Sequence, residues 1–205
     1  MVWKPDYVVV DGAGGLRDYV TRDGVADVDD VYLTIAAGAA SRAIDRHTGR
    51  QFGNVDAAQD RRYTARWDRR RGVYRCDIDD LYDATGLAVA VDSGPVDAFD
   101  LEPANALADG MVYEQLVIRP ESTHRPTGRT EHEVTVTSSK WGWPAFPVPV
   151  VQATLLQASR LVWRRDAPAG VAGSPDQGSE IRLLARLDPD VAVTLGGYVR
   201  WWAAG

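Results

Sequence analysis

Apolar and polar residues alternate from His132 to Ser138, with Val134 and Val136 set between Glu133, Thr135 and Thr137. That period of two predicts a strand with one buried face. The pattern stops at Trp141-Gly142-Trp143-Pro144. Pro144, Pro147 and Pro149 lack backbone donors and hold each preceding residue extended, so no helix is expected before about Pro147 to Pro149. From Val150 the period lengthens. Val151, Leu155, Ala158 and Leu161, joined by Thr154 and Val162, recur at three- and four-residue steps, which predicts a helix burying one face. Arg164 and Arg165 suit its negative C-terminal end.

A second long helix is expected from an N-cap at Asp27 to about Thr48, with Asp29 and Asp30 in its first turn. Its block of small residues, Ala36 to Ser41, admits a close neighbour, expected to be the helix at 150–165. Arg42, Arg46 and Arg50 are spaced by four and so share a face. Two readings stay open for them: a solvated stripe paired with nearby carboxylates, or contact with an acidic partner. Between Asp60 and Ser139 the texture changes to short alternating segments divided by turn residues: Arg62–Trp67, Gly72–Ile78, Leu87–Val91, Ala98–Leu101, Tyr113–Arg119 and His132–Ser138. Leu87–Val91, apolar on both faces, is expected to be central, and Arg62–Trp67 to have one wet face. Arg119 to Glu131 reads as a long exposed hairpin loop. The predicted class is therefore α+β, with a helical lobe from residues 1–55 and 145–205, an inserted antiparallel β-rich lobe at 56–144, and a flexible linker at 167–186 that is poor in large apolar residues. The last helix is expected to start at Asp188-Pro189 and finish near Tyr198, ahead of Arg200, Trp201 and Trp202. Two tryptophans so near an end suit either a docking segment or a fold back onto the chain's own core.

Composition narrows the chemistry. A chain of 205 residues, 45% hydrophobic and 25% charged, can bury one core or a core with a satellite. No stretch approaches the roughly 18 apolar residues of a membrane span, and Lys4, Pro5 and Asp6 interrupt any signal-peptide core, so neither membrane nor export by that route is expected. Cys76 is the single cysteine, which excludes an intrachain disulfide and a thiolate metal cluster, and its setting suits a buried small hydrophobe. His47, His124 and His132 show no ligand or triad spacing. Asp11-Gly12-Ala13-Gly14-Gly15 lacks the residues of a phosphate loop and reads as a turn. The runs Asp27–Asp30 and Asp77–Asp80 lack the glycine and glutamate of a calcium loop and read as solvated carboxylates. No catalytic residue, metal site or cofactor is expected. A net charge of −6 opposes DNA binding by counterion release. Trp141 and Trp143 suit either core anchors at a structural corner or a platform for a glycan or peptide.

Four segments, in order, resemble the head-to-tail connector, or adaptor, proteins of long-tailed bacteriophages. They are Ala40-Ser41-Arg42-Ala43-Ile44-Asp45-Arg46-His47-Thr48-Gly49-Arg50-Gln51-Phe52-Gly53, then Leu101-Glu102-Pro103-Ala104-Asn105-Ala106, then the run from Lys140 to Gly173, and Leu187-Asp188-Pro189-Asp190-Val191. The resemblance spans most of the chain. It implies a structural protein that does no chemistry, assembled in the host cytoplasm as a ring, expected to be of twelve, beneath the portal protein at the virion neck. That ring would extend the DNA channel, pass double-stranded DNA without binding it specifically, and dock the next neck or stopper protein. It also implies portal contact through Tyr198, Arg200, Trp201 and Trp202, with Arg42, Arg46 and Arg50 facing a neighbouring subunit or the portal. The alternative is a monomeric module binding a glycan or peptide at the β lobe and the Trp141/Trp143 corner. The glycine-rich residues before Val25 and the loose match at 101–111 depart from the family pattern.

Overall fold

The computed structural model describes residues 4–22, 28–165, 171–172, 181–182 and 187–200, and the chain divides into two units, one of residues 53–145 and one of residues 4–52 with 146 onward. The architecture is α+β, with helices confined to the second unit and two four-stranded antiparallel sheets to the first.

In the helical unit, α1 (Leu16–Arg22) follows the turn closed by the Gly15 N–H on the Gly12 carbonyl at 2.9 Å. Seven residues are too few to show a period, so this helix has no signature beyond Leu16 and Val20, both buried one turn apart. The second helix, α2 (Asp30–Thr48), starts two residues later than expected. Asp29, not Asp27, is its N-cap, and the carboxylate accepts from the Val31 N–H at 3.0 Å. Gly49 ends it in the left-handed conformation, φ 65°, donating its N–H to the Asp45 carbonyl. The third, α3 (Val148–Arg165), begins where the prolines allow, with Pro149 in the first turn.

Leu33, Ala36, Ala37 and Ala40 of α2 are buried with Ala158 and Val162 of α3, so the small-residue block meets the helix it was expected to meet. The buried face of α3 is rotated from the expected one. Val150, Ala153, Thr154, Ala158 and Val162 are buried, whereas Val151, Leu155 and Leu161 are half-buried at its edge. The reason is that α3 packs against α1, α2 and α4 (Pro189–Thr194), which widens its buried arc beyond a single stripe. Asp188 caps α4 as expected, accepting from the Asp190 N–H at 2.7 Å with Pro189 at the first position. The helix ends at Thr194, and a 3-10 turn over Gly196–Tyr198 completes the span. Of the expected linker, only Val171–Ala172 and Ile181–Arg182 are described, and they pair antiparallel; the remainder lies outside the described residues.

In the other unit, β1 (Gln59–Tyr63), β2 (Arg66–Asp68), β3 (Val73–Leu81), β4 (Ala88–Val91), β5 (Gly94–Pro95), β6 (Phe99–Glu102), β7 (Tyr113–Ile118) and β8 (Val134–Ser138) form one sheet in the order β1-β8-β4-β5 and another in the order β2-β3-β7-β6. The expected strand over Arg62–Trp67 is two strands in different sheets. Tyr63 pairs with Val134 of β8, Arg66 pairs with Arg75 of β3, and the switch is made at Thr64 and the buried Ala65. β4 lies inside its sheet beside a two-residue partner, but its face is one-sided: Val89 and Val91 are buried and Ala88 is exposed. Residues 119–133 join β7 of one sheet to β8 of the other and are therefore a crossover, not a hairpin loop. Two carboxylates pin that crossover. Buried Glu133 accepts from the Thr127 and Gly128 N–H groups at 2.8 and 2.7 Å, and Asp97 accepts from the Thr123 N–H at 2.9 Å.

The core of this unit joins both sheets: Cys76, Ile78, Leu116 and Ile118 from one, Val89, Val91, Val134 and Val136 from the other, with Trp141 among them. Each fully buried aliphatic side chain there contributes about 1.5–3 kcal/mol. Burial also pushes the Cys76 thiol up to about 12, as fits an inert core residue.

Candidate functional site

Two groups of residues singled out in the sequence belong to different units and are described in turn. The corner Trp141-Gly142-Trp143-Pro144 follows β8. Trp141 is fully buried, donates its indole N–H to the Gln59 carbonyl at 3.1 Å, and carries the Arg61 guanidinium over its ring at 4.6 Å. Trp143 is 2% exposed, and its indole N–H donates to Asp80 Oδ2 at 2.8 Å. Asp80 is itself buried inside β3, so the Asp77–Asp80 run is strand, not the solvated turn it was expected to be. A register irregularity between Asp77 and Leu81 turns both Asp80 and Leu81 inward.

Gly142 sits between the two rings at φ 100°, its N–H bonded to the Asp80 carbonyl. A Cβ there would lie 1.9 Å from the Gly53 carbonyl oxygen. The Trp143 N–H donates to that same oxygen at 3.0 Å, and Asn54 donates its amide to the Trp143 carbonyl at 2.9 Å. Both indoles are thus spent on the unit's own core, and neither presents a face to a glycan or peptide.

In the helical unit, the three arginines do not form one stripe. Gly49 turns the chain out of α2, so Arg50 leaves the helix face shared by Arg42 and Arg46. Arg42 is half-buried: Nε pairs with Asp45 at 2.9 Å and the guanidinium also donates to the Lys4 and Pro5 carbonyls. Arg46 is exposed, on the rim of a cavity of about 350 Å³ lined also by Ala39, Ala43, Gln157, Leu161 and Arg164. Arg50 is 6% exposed and donates to the Tyr198 carbonyl.

The residues after α4 are held to the end of α2. The Arg200 N–H donates to the Thr48 carbonyl at 2.8 Å, one of the carbonyls that the helix end leaves without an intrahelical partner. Arg200 is 5% exposed, and the Tyr198 ring meets Phe52 edge-on at 5.8 Å. Trp201 and Trp202 lie outside the described residues. Tyr7, which the sequence did not mark, joins the same seam. Its ring meets Phe52 at 5.6 Å and Phe146 at 5.2 Å, its hydroxyl accepts from the Phe52 N–H at 3.1 Å and donates to Asp45. Burial, then that hydrogen bond, pushes the Tyr7 phenol far above its usual range. Burial also raises Asp45 above the usual carboxylate range, against the opposing pull of Tyr7 and Arg42. No local pattern could have announced Tyr7, since its hydrogen-bond partners are 34 to 45 residues away and Phe146 is farther still.

The site offers surfaces and internal seams; among the described residues no group of three or more His, Cys, Asp or Glu side chains is placed to hold a metal. No protein-family model matches the chain, and no curated protein matches it. Among solved structures, one chain from the neck of an empty gene transfer agent particle is similar at 20% identity and a TM-score of 0.45, covering 88% of this chain and 98% of that one. A chain from the virion of the native gene transfer agent particle is similar at 19% identity and a TM-score of 0.43, with the same coverage.

Proposed function

We propose that the protein is a structural head-to-tail adaptor of a tailed phage, assembling as a ring under the portal, extending the DNA channel and presenting a surface to the next neck or stopper protein. One observation carries the reading. Three of the four segments that resemble the connector family meet within the helical unit: Ala40 packs with Ala158 and Val162, Asp188 accepts from Arg160 and donates its N–H to the Gln157 side-chain oxygen of α3, and Thr48 and Arg50 hold the residues that follow α4. Separate chance matches would have no reason to converge on one set of contacts.

In this reading Tyr198 and Arg200 fix the start of the C-terminal tail against α2, and Trp201 and Trp202 beyond them make the portal contact. Arg42 and Arg50 support that seam, and Arg46, the exposed member, faces a neighbouring subunit or the portal. The ring is dodecameric. Its mechanism is geometric, with no bond made or broken, and the corner residues Trp141, Gly142, Trp143 and Pro144 keep the β unit rigid.

The test is electron microscopy of the protein mixed with its portal ring. The expected result is an added annular layer at the portal, lost in a Trp201→Ala/Trp202→Ala variant whose far-UV circular dichroism is unchanged. Truncating buried aromatic anchors typically costs 2 kcal/mol or more each, about thirtyfold in affinity. A protein that stays monomeric beside the portal, or a double variant that still forms the layer, overturns the assignment.

A further inference from the structure

The chain's negative charge is unevenly placed. Residues 61–75 hold seven arginines against one aspartate, a formal +6, which leaves −12 on the rest of a chain whose total is −6. Most of these arginines stand on β2, β3 and the turn between them. We propose that this hairpin is a sequence-independent contact for the phosphate backbone of duplex DNA, made by Arg66, Arg69 and Arg70 with Trp67 and, from the crossover, Arg129.

The turn is built so that its one carboxylate is used internally while two of its three guanidinium groups, those of Arg69 and Arg70, are not. Asp68 Oδ1 accepts from the Arg70 and Arg71 N–H groups at 2.9 and 3.2 Å, and those backbone bonds hold its carboxyl below the usual range. Arg71 is occupied by Glu102 through both oxygens, and Arg75 by Gln115, Asp68 and Glu102. Arg61 bonds Asp79 and Arg62 the His132 carbonyl. The guanidinium groups of Arg66, Arg69 and Arg70 are exposed and have no hydrogen-bond or ion-pair partner among the described residues. Four of the seven cations are therefore structural, and three face water.

Trp67 is 46% exposed although its ring lies against Tyr74, centroids 4.7 Å apart. Gly128 of the crossover approaches the same tyrosine so closely that a Cβ would be 3.4 Å from the ring, which brings exposed Arg129 to this end of the unit. Cations around a flat, partly exposed aromatic beside a hairpin turn fit contact with a charged, sugar-lined strand. Arginine clusters also recognise acidic peptide motifs, and competition with polyglutamate separates that occupant from duplex DNA. Net charge sets long-range repulsion, but contact at a few ångströms is decided by the local groups, because a Debye length of about 8 Å screens the remainder at physiological salt. The inference stands on charge and geometry and does not rest on the adaptor reading.

The test is fluorescence anisotropy of a labelled 30-base-pair duplex titrated with the full-length protein at about 20, 50 and 100 mM salt. Wild type is expected to bind with a log–log salt slope near −3 to −4, about −0.9 for each of the four cations. Arg66→Gln/Arg69→Gln/Arg70→Gln should flatten the slope by about 2.7 while leaving the melting temperature unchanged, since all three side chains lie in water. Trp67→Ala should weaken binding without changing the slope. The proposal is overturned if wild type gives no anisotropy change at about 20 mM salt, if the triple variant keeps the full slope, or if polyglutamate of matched charge displaces the duplex at equal concentration. That last outcome would assign the hairpin to an acidic protein surface. A triple variant that no longer binds DNA yet still forms the portal layer leaves the adaptor assignment intact, so the two readings fail separately.

Discussion

The two units of this chain are stabilised in opposite ways. The β unit is one continuous stretch, residues 53–145, with a branched apolar core and turns whose carboxylates accept nearby N–H groups. The helical unit is drawn from two stretches nearly a hundred residues apart, with small residues between its helices and a few long-range polar contacts, such as Arg200 to Thr48 and Asp188 to Gln157, joining the pieces. A contiguous unit is sensitive at its corners, where the backbone has no slack; a discontinuous one is sensitive where distant segments meet. The difference can be broken or sharpened by experiment.

The largest effect is expected at Gly142. Any Cβ collides with the Gly53 carbonyl, and φ 100° is poorly tolerated by L residues, so Gly142→Ala should cost more than about 4 kcal/mol, the range reserved for severe local conflict. Urea unfolding of the full-length variant, read by hydrogen exchange on separate peptides, should show protection lost across residues 53–145 and largely kept in α2 and α3. A variant within 1 kcal/mol of the parent would show that the corner relaxes and does not hold the unit.

Acid should separate the units next. In the β unit, Asp97 is held below the usual carboxylate range chiefly by Thr123, Glu102 by Arg71, Asp68 by the Arg71 N–H and Asp83 by the Thr85 N–H. Groups with depressed folded values add stability above the unfolded value, near 4, and lose it as pH falls through the folded one. Asp45 of the helical unit is raised, so it binds its proton more readily folded than unfolded. Its contribution to stability therefore grows as pH falls through its folded value and is flat at neutral pH. Between about pH 5 and pH 2, normalised exchange protection should fall first across 53–145. Earlier loss in α2 would contradict the direction assigned to Asp45.

How much of this could be read in the sequence follows the same division. Prolines at 144, 147 and 149 dated the start of α3 because a missing N–H is a local fact, and Asp188-Pro189 marked α4 for the same reason. The switch between sheets at Thr64–Ala65 was hidden, since alternation continues through Arg66 although the hydrogen-bond partner changes. Helix α1 was too short for a period, and Tyr7 and Arg50 act through partners far along the chain. The corner tryptophans were legible as core anchors, but their acceptor Asp80 was not, because a carboxylate in an acidic run is by default a solvated one. The arginine-rich hairpin was in plain view as composition and was masked by summing charge over the whole chain.

The smallest expected effect has the opposite sign and tests the helical half of the comparison. Gly38 lies within α2 at an ordinary helical conformation, and the nearest atoms a Cβ there would meet are those of the Asp6 carboxylate, at 3.4 Å and beyond, which is normal contact. Glycine in a helix interior costs about 1 kcal/mol relative to alanine, so Gly38→Ala should stabilise the protein by up to that amount. The close approach of α2 and α3 uses Ala36, Ala37 and Ala40 on the other side of the turn, so the packing should not object. In the urea experiment the gain should appear as raised protection in α2 and α3 with no change across 53–145. A loss instead would mean that Asp6 cannot shift by a few tenths of an ångström. The N-terminal segment, tied down by Tyr7 to Ser41 and by Arg42 to the Lys4 and Pro5 carbonyls, would then be as rigid a constraint on the helices as Gly53 is on the corner.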